Sequence, residues 1–89
     1  RITDTQSGLT MEVYTPEPAM QIYTANGHNG TLIGKGGIPY KRRNAICFET
    51  MHFPDSPNKP QWPSTLLRPG ETFKSTTIFR FNNGKGERQ

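Results

Sequence analysis

A single cysteine, Cys47, leaves this 89-residue chain without an internal disulfide framework. No Cys-x-x-Cys pair occurs, and His28 and His52 stand too far apart for zinc-ligand spacing, so no metal site is expected. No run approaches the roughly 20 apolar residues that span a bilayer, which argues against a membrane partner. No basic stretch followed by an apolar one opens the chain, so no signal peptide is read. A start at Arg1 rather than methionine is what a fragment or a processed chain would show. Apolar residues are scarce, at 30% with a mean hydropathy of −0.79, which is little for a self-sufficient core. No segment sustains a helical period.

The residues present are those of a loop-rich β protein. Nine glycines and eight prolines punctuate a length that allows one small domain at most. The net charge of +4 is modest, and part of it sits in Lys41, Arg42 and Arg43. Aromatic residues are not interleaved with that triplet, so no nucleic acid partner is expected.

Taken in order, residues 1–5, a turn at Gln6, Ser7 and Gly8, and the alternating residues 9–14 predict a β-hairpin. Thr15, Pro16, Glu17 and Pro18 end the second strand, because proline cannot donate to a ladder. Residues 19–25 predict a third strand, with Met20 and Ile22 on one face and Gln21 and Tyr23 on the other. A turn cluster, NGHNG, follows at residues 26–30. Residues 44–50 and 72–81 predict two further strands, and 82–89 a polar tail. Both of these strands carry apolar residues on both faces and so need cover on two sides. A chain of this length cannot make two full sheets plus its loops. The predicted fold class is therefore all-β, with antiparallel strands forming part of a larger β-sandwich.

The stretch NAICFETMHFPDSPN, residues 44–58, organises the rest. Strand alternation puts Ala45, Cys47 and Glu49 on one face and Ile46, Phe48 and Thr50 on the other, which reads as core. Glu49 is a lone carboxylate over small neighbours: either a rim acid in water or paired with a lysine, or a functional group. Cys47 is expected to be a small buried hydrophobe. His52, three residues beyond Glu49, points to the opposite face, which disqualifies it as a local acid partner. Prolines at 54, 57, 60 and 63 suit polyproline II, although a stiff loop packed over Phe53 and Trp62 fits better between two strands. Two lookalikes are set aside. GTLIGKG, residues 30–36, lacks one spacer of a phosphate loop and has glycine after its lysine, and the sequon Asn29, Gly30, Thr31 is taken as chance.

The segments SGLTMEVYTPEPAMQIYTAN, GKGGIPY, ICFETMHFPDSPN and PSTLLRPGETFKSTTIFRF, in that order, resemble the C-terminal portion of the galactose mutarotases (aldose 1-epimerases). The resemblance covers residues 7–81. It implies that residues 1–89 are a C-terminal fragment of a single aldose 1-epimerase β-sandwich domain, partnered by the remaining N-terminal part of the same protein. It also implies interconversion of the α and β anomers of hexoses such as galactose and glucose. The family's catalytic base is the glutamate of its L-E-T-Q segment, which here reads Phe48, Glu49, Thr50, Met51, so the role falls on Glu49. The glutamine of its EPG-x-Q-x-Y-T-G-N segment, a sugar-hydroxyl contact, falls on Gln21. Ala19 and Ala25 replace family glycines, and Met51 replaces the glutamine after Glu-Thr.

Anomer exchange needs a base at the C1 hydroxyl and an acid at the ring oxygen, with no metal or cofactor. The resemblance places the acid, a histidine, upstream of these residues, together with further histidine, arginine and aspartate contacts. The fragment alone is accordingly expected to be inactive. Two alternatives stand beside this reading, ahead of a structural or peptide-binding role through the proline loop. One is a non-catalytic carbohydrate-binding module using Gln21 with Phe53 or Trp62 as a stacking face. The other is an epimerase of hexose 6-phosphates, with Lys41, Arg42 and Arg43 as the only local anion site. The residues leave the compartment open; the family default is cytoplasmic, and periplasmic or secreted locations are the alternatives.

Overall fold

The computed structural model of the protein describes residues 1–83. Within them lie five strands: β1 (Ile2–Thr3), β2 (Thr10–Tyr14), β3 (Ala19–Tyr23), β4 (Cys47–Met51) and β5 (Ile78–Asn82). They form two antiparallel sheets, one in the order β1-β2-β5 and one pairing β3 with β4. Two short 3-10 turns, Lys35–Gly37 and Ser56–Asn58, are the only helical pieces among the described residues.

The opening hairpin is built on Asp4. Its carboxylate accepts the Ser7 hydroxyl at 2.6 Å and the Gln6 and Ser7 amides at 3.3 and 3.2 Å, while its carbonyl accepts the Gly8 amide at 2.8 Å. Gly8 closes the turn at φ 80°, a conformation that favours glycine. These donors stabilise the charged form, so the Asp4 carboxyl titrates below the usual carboxylate range, the Ser7 hydroxyl contributing most.

Register then sorts the faces of the larger sheet. Met11 opposes Phe81 and Val13 opposes Phe79, giving an apolar face, while Glu12 opposes Arg80 on the other. Glu12 is also reached by Arg1 at 3.0 Å and by the Tyr14 hydroxyl at 3.0 Å. The apolar face stays open, with Phe79 50% and Phe81 60% exposed, and the only buried hydrophobic residue described is Ala25. The Cα radius of gyration is 17.5 Å, against the roughly 12 Å of a closed domain of this length. The two sheets do not enclose a core by themselves.

Several strand boundaries differ from the sequence reading, the first strand shrinking from residues 1–5 to Ile2–Thr3, and three of the differences have a cause in the backbone. The third strand stops at Tyr23 rather than at residue 25, because Ala25 turns into the left-handed region at φ 59°. The fourth starts at Cys47 rather than at residue 44, behind an Arg43 also held left-handed at φ 64°. The last starts at Ile78 rather than at residue 72. Its partner β2 ends at Tyr14, and Pro16 and Pro18 beyond it have no N–H to extend the ladder. Of the predicted tail, Asn82 belongs to β5, and residues 84–89 lie outside the described residues.

Candidate functional site

The β3–β4 ladder pairs Ala19 with Met51, Gln21 with Glu49 and Tyr23 with Cys47. Residues directly opposite in an antiparallel pair share a face, with Cβ atoms about 4.5–5.5 Å apart. The two residues that sequence reading singled out separately, 28 positions apart, are therefore cross-strand neighbours. Their face carries Tyr23 and Cys47 on one side of the pair and Ala19 and Met51 on the other. Met20, Ile22, Phe48 and Thr50 occupy the reverse face.

The pair is open to solvent. Gln21 and Glu49 are both exposed, so the carboxylate carries no burial penalty. The Gln21 amide makes one long contact, donating to the Ile22 carbonyl at 3.5 Å. Among the described residues the Glu49 carboxylate has no hydrogen-bond or ion-pair partner. An acceptor and an amide thus stand side by side, with only the amide's one long hydrogen bond in use. A polyol whose adjacent hydroxyls both need partners would fit them.

Other sequence expectations fare differently. Cys47 is exposed rather than buried, because nothing among the described residues covers the Gln21–Glu49 face. Ile46, expected in the core, is 53% exposed, whereas Phe48 and Thr50 on the same predicted face are half-buried. The proline loop is not a continuous polyproline helix. Asp55, left-handed at φ 70°, opens the 3-10 turn Ser56–Asn58, and Phe53 and Trp62 meet with ring centroids 5.2 Å apart. Lys59, tied to Asp55 at 2.6 Å, also lies 5.8 Å over the Trp62 ring, so the stacking face a binding module would use is partly covered.

The glycine-rich segment is structural. Gly34 and Tyr40 approach so closely that a Cβ on Gly34 would overlap the ring, 2.6 Å from its Cε1. His28, for which the sequence offered no partner, stacks tilted on the same Tyr40 ring at 5.9 Å. The sequon residues serve a local turn, with Asn29 Oδ1 accepting both the amide and the hydroxyl of Thr31 at 3.1 and 2.7 Å. In the basic triplet, Arg43 donates to the Asn26 side chain at 3.1 Å.

Sequence reading missed Glu17. Its side chain is only 11% exposed, and it holds His52 Nδ1 at 2.9 Å and the Ser75 hydroxyl at 2.8 Å. A glutamate between two prolines, two residues ahead of a strand, was the available signal.

Known proteins match most of the chain. The family model described as aldose 1-epimerase matches residues 1–80. The chain is similar to a galactose mutarotase of Mus musculus, 48% identical over 82 residues, which cover 92% of this chain and 24% of the relative. A galactose mutarotase of Homo sapiens is 45% identical over the same shares. An aldose 1-epimerase of Escherichia coli (strain K12) is 41% identical over 75 residues, covering 82% of this chain and 21% of that protein. The chain spans about a quarter of the length of the curated relatives it matches.

Proposed function

The chain belongs to the aldose 1-epimerase family, and from that premise we propose that it supplies the base half of a sugar-mutarotating site, with Glu49 as base and Gln21 as substrate contact. Residues 1–89 are, in this reading, the C-terminal part of one larger β-sandwich domain. The open apolar face of β2 and β5 supports that, because exposed Phe79 and Phe81 call for a covering layer.

The observation that carries the proposal is the register that sets Gln21 opposite Glu49. In the reaction, Glu49 takes the proton from the C1 hydroxyl as the C1–ring oxygen bond breaks and the C1 carbonyl forms. The ring oxygen receives a proton from an acid outside this chain, the upstream histidine that the family resemblance implies. Rotation about C1–C2 presents the other face of the carbonyl; on closure the ring-oxygen hydroxyl bonds C1 and returns its proton to the acid, while O1 of the opposite anomer takes its proton back from Glu49. The Gln21 amide, one strand away, bonds a hydroxyl next to the reacting carbon and holds the ring in place through both steps. The substrates are hexoses such as galactose and glucose, and the chemistry is that of an isomerase.

Polarimetry of freshly dissolved α-galactose or α-glucose tests this in the intact protein. Glu49→Gln is expected to lower kcat by about 10²–10⁴-fold, the usual worth of a positioned acid or base. A wild-type rate in that variant would sink the base assignment. Substantial activity of the 89-residue chain alone would sink the claim that the acid lies elsewhere.

A further inference from the structure

A second polar cluster lies on the side of β4 away from Glu49, and three segments build it in the same way. Each contributes two residues spaced i, i+2: Thr15 and Glu17 about a bend at Pro16, Thr50 and His52, Ser75 and Thr77. The Thr77 hydroxyl stands 3.0 Å from that of Thr15 and 3.1 Å from that of Thr50. One Glu17 oxygen meets His52 Nδ1 at 2.9 Å, and the other accepts the Ser75 hydroxyl at 2.8 Å. The Glu17 amide donates to Thr15 Oγ1 at 3.1 Å, closing the seam on itself.

The seam begins where both ladders stop. Between β3 and β4 the last pair is Ala19 with Met51, and the next residue, Pro18, has no N–H to donate. The Glu17–His52 contact takes over at that point. Between β2 and β5 the last pair is Tyr14 with Ile78, and Pro16 blocks the continuation. The Thr15–Thr77 and Glu17–Ser75 contacts then extend the same register as side-chain rungs. Glu17 is held at once by His52, just past the end of β4, and by Ser75, ahead of β5.

We propose that the Glu17–His52 contact, backed by Ser75, is a positioning element that pins the end of the β3–β4 ladder in the register setting Gln21 against Glu49. A slip of one residue would turn every β4 side chain to the other face and would oppose Glu49 with Met20 or Ile22. The effect on activity rests on the reading of Glu49 as base; the effect on register does not.

The two are separated by measuring amide hydrogen exchange and mutarotation kinetics on the same variants of the intact protein. His52→Ala is expected to speed exchange of β4 amides by about tenfold while leaving β2–β5 amides near wild type. It is also expected to lower kcat by about 10–100-fold, as displacing a reacting group does, with KM changing by less than about threefold. His52→Asn, whose side-chain N–H can stand where Nδ1 stood, restores most of both. Ser75→Ala, a milder change than His52→Ala, gives about a threefold version of the same pattern. Unchanged β4 exchange in both His52→Ala and Ser75→Ala overturns the proposal. So does a uniform rise across all strands without rescue by asparagine, which is plain destabilisation. If β4 exchange depends on His52 while Glu49→Gln keeps the wild-type rate, the positioning element stands and the base assignment falls.

Discussion

Thr77 is the hub of the hydroxyl chain, and replacing it with valine removes one oxygen and little else. Thr77→Val keeps the shape and the β-branch, so neither a cavity nor a change of backbone preference complicates the result. Two contacts are lost, to Thr15 at 3.0 Å and to Thr50 at 3.1 Å. A neutral hydrogen bond contributes a net of about 0.5–1.5 kcal/mol. Because Thr77, Thr15 and Thr50 are all half-buried, the orphaned hydroxyls regain part of their bonding from water. The lower half of the range applies, and the pair sums to about 1–2 kcal/mol. In a protein the length of the relatives it matches, about four times this chain, that lowers the thermal midpoint by roughly 1–3 °C. Thr76→Val, one residue earlier and exposed, is the matched control and is expected to stay within about 0.5 kcal/mol of wild type. Urea denaturation of both variants gives the difference directly. Equal midpoints for Thr77→Val and Thr76→Val would refute the reasoning. Thr50→Val combined with Thr77→Val should cost less than the sum of the single changes, because one contact is shared.

Three further outcomes follow from the geometry. Gly34→Ala drives a methyl into the Tyr40 ring, so it should destabilise the protein by about 1–3 kcal/mol and abolish the ring-current shift that Tyr40 imposes on His28 in NMR spectra. Ala25 combines burial with φ 59°. Ala25→Gly should therefore be close to neutral in urea denaturation, since relief of about 1–2 kcal/mol of left-handed strain offsets the lost methyl and the added chain entropy. At low pH, Asp4 and Glu12 both titrate below their ordinary values, Asp4 chiefly through the Ser7 hydroxyl and Glu12 chiefly through Arg1. A carboxylate with a depressed folded pKa contributes stability that is present above the ordinary carboxylate range, about pH 4, and is lost as pH falls through the lowered value. Thermal midpoints measured from pH 5 downward should accordingly fall less steeply for Asp4→Asn than for the wild type.

The fold was legible where backbone pattern alone decides it. Alternation from Leu9 to Tyr14, the turn before it and the Phe79–Phe81 spacing all emerge as β2, its hairpin and β5. Pattern misled where a strand needs a partner as well as a sequence. Residues 72–77 alternate as well as any strand, yet the chain opposite them carries Pro16 and Pro18, and their hydrogen bonds pass through side-chain hydroxyls instead. Left-handed residues are equally invisible to alternation. Arg43 and Ala25 shorten their neighbouring strands for that reason, and at Ala25 the glycine expected from the family resemblance is the one signal of positive φ.

The site divides along the same line. Glu49 stands out from the strand pattern and Gln21 from the family resemblance, but their juxtaposition is a property of register, which neither strand specifies by itself. The parity argument that removed His52 from consideration as an acid also shows where its role lies. Three residues past Glu49 it faces the other way, and there it meets Glu17, a carboxylate that no strand pattern marks. A residue excluded from chemistry by its face is thereby available to fix the strand from behind. Thr50, also on that reverse face, adds the second tie to Thr77. Glu49 therefore lies on a strand free on one face and tied down on its reverse face, so that the proposed base stays open to a substrate while its backbone is held.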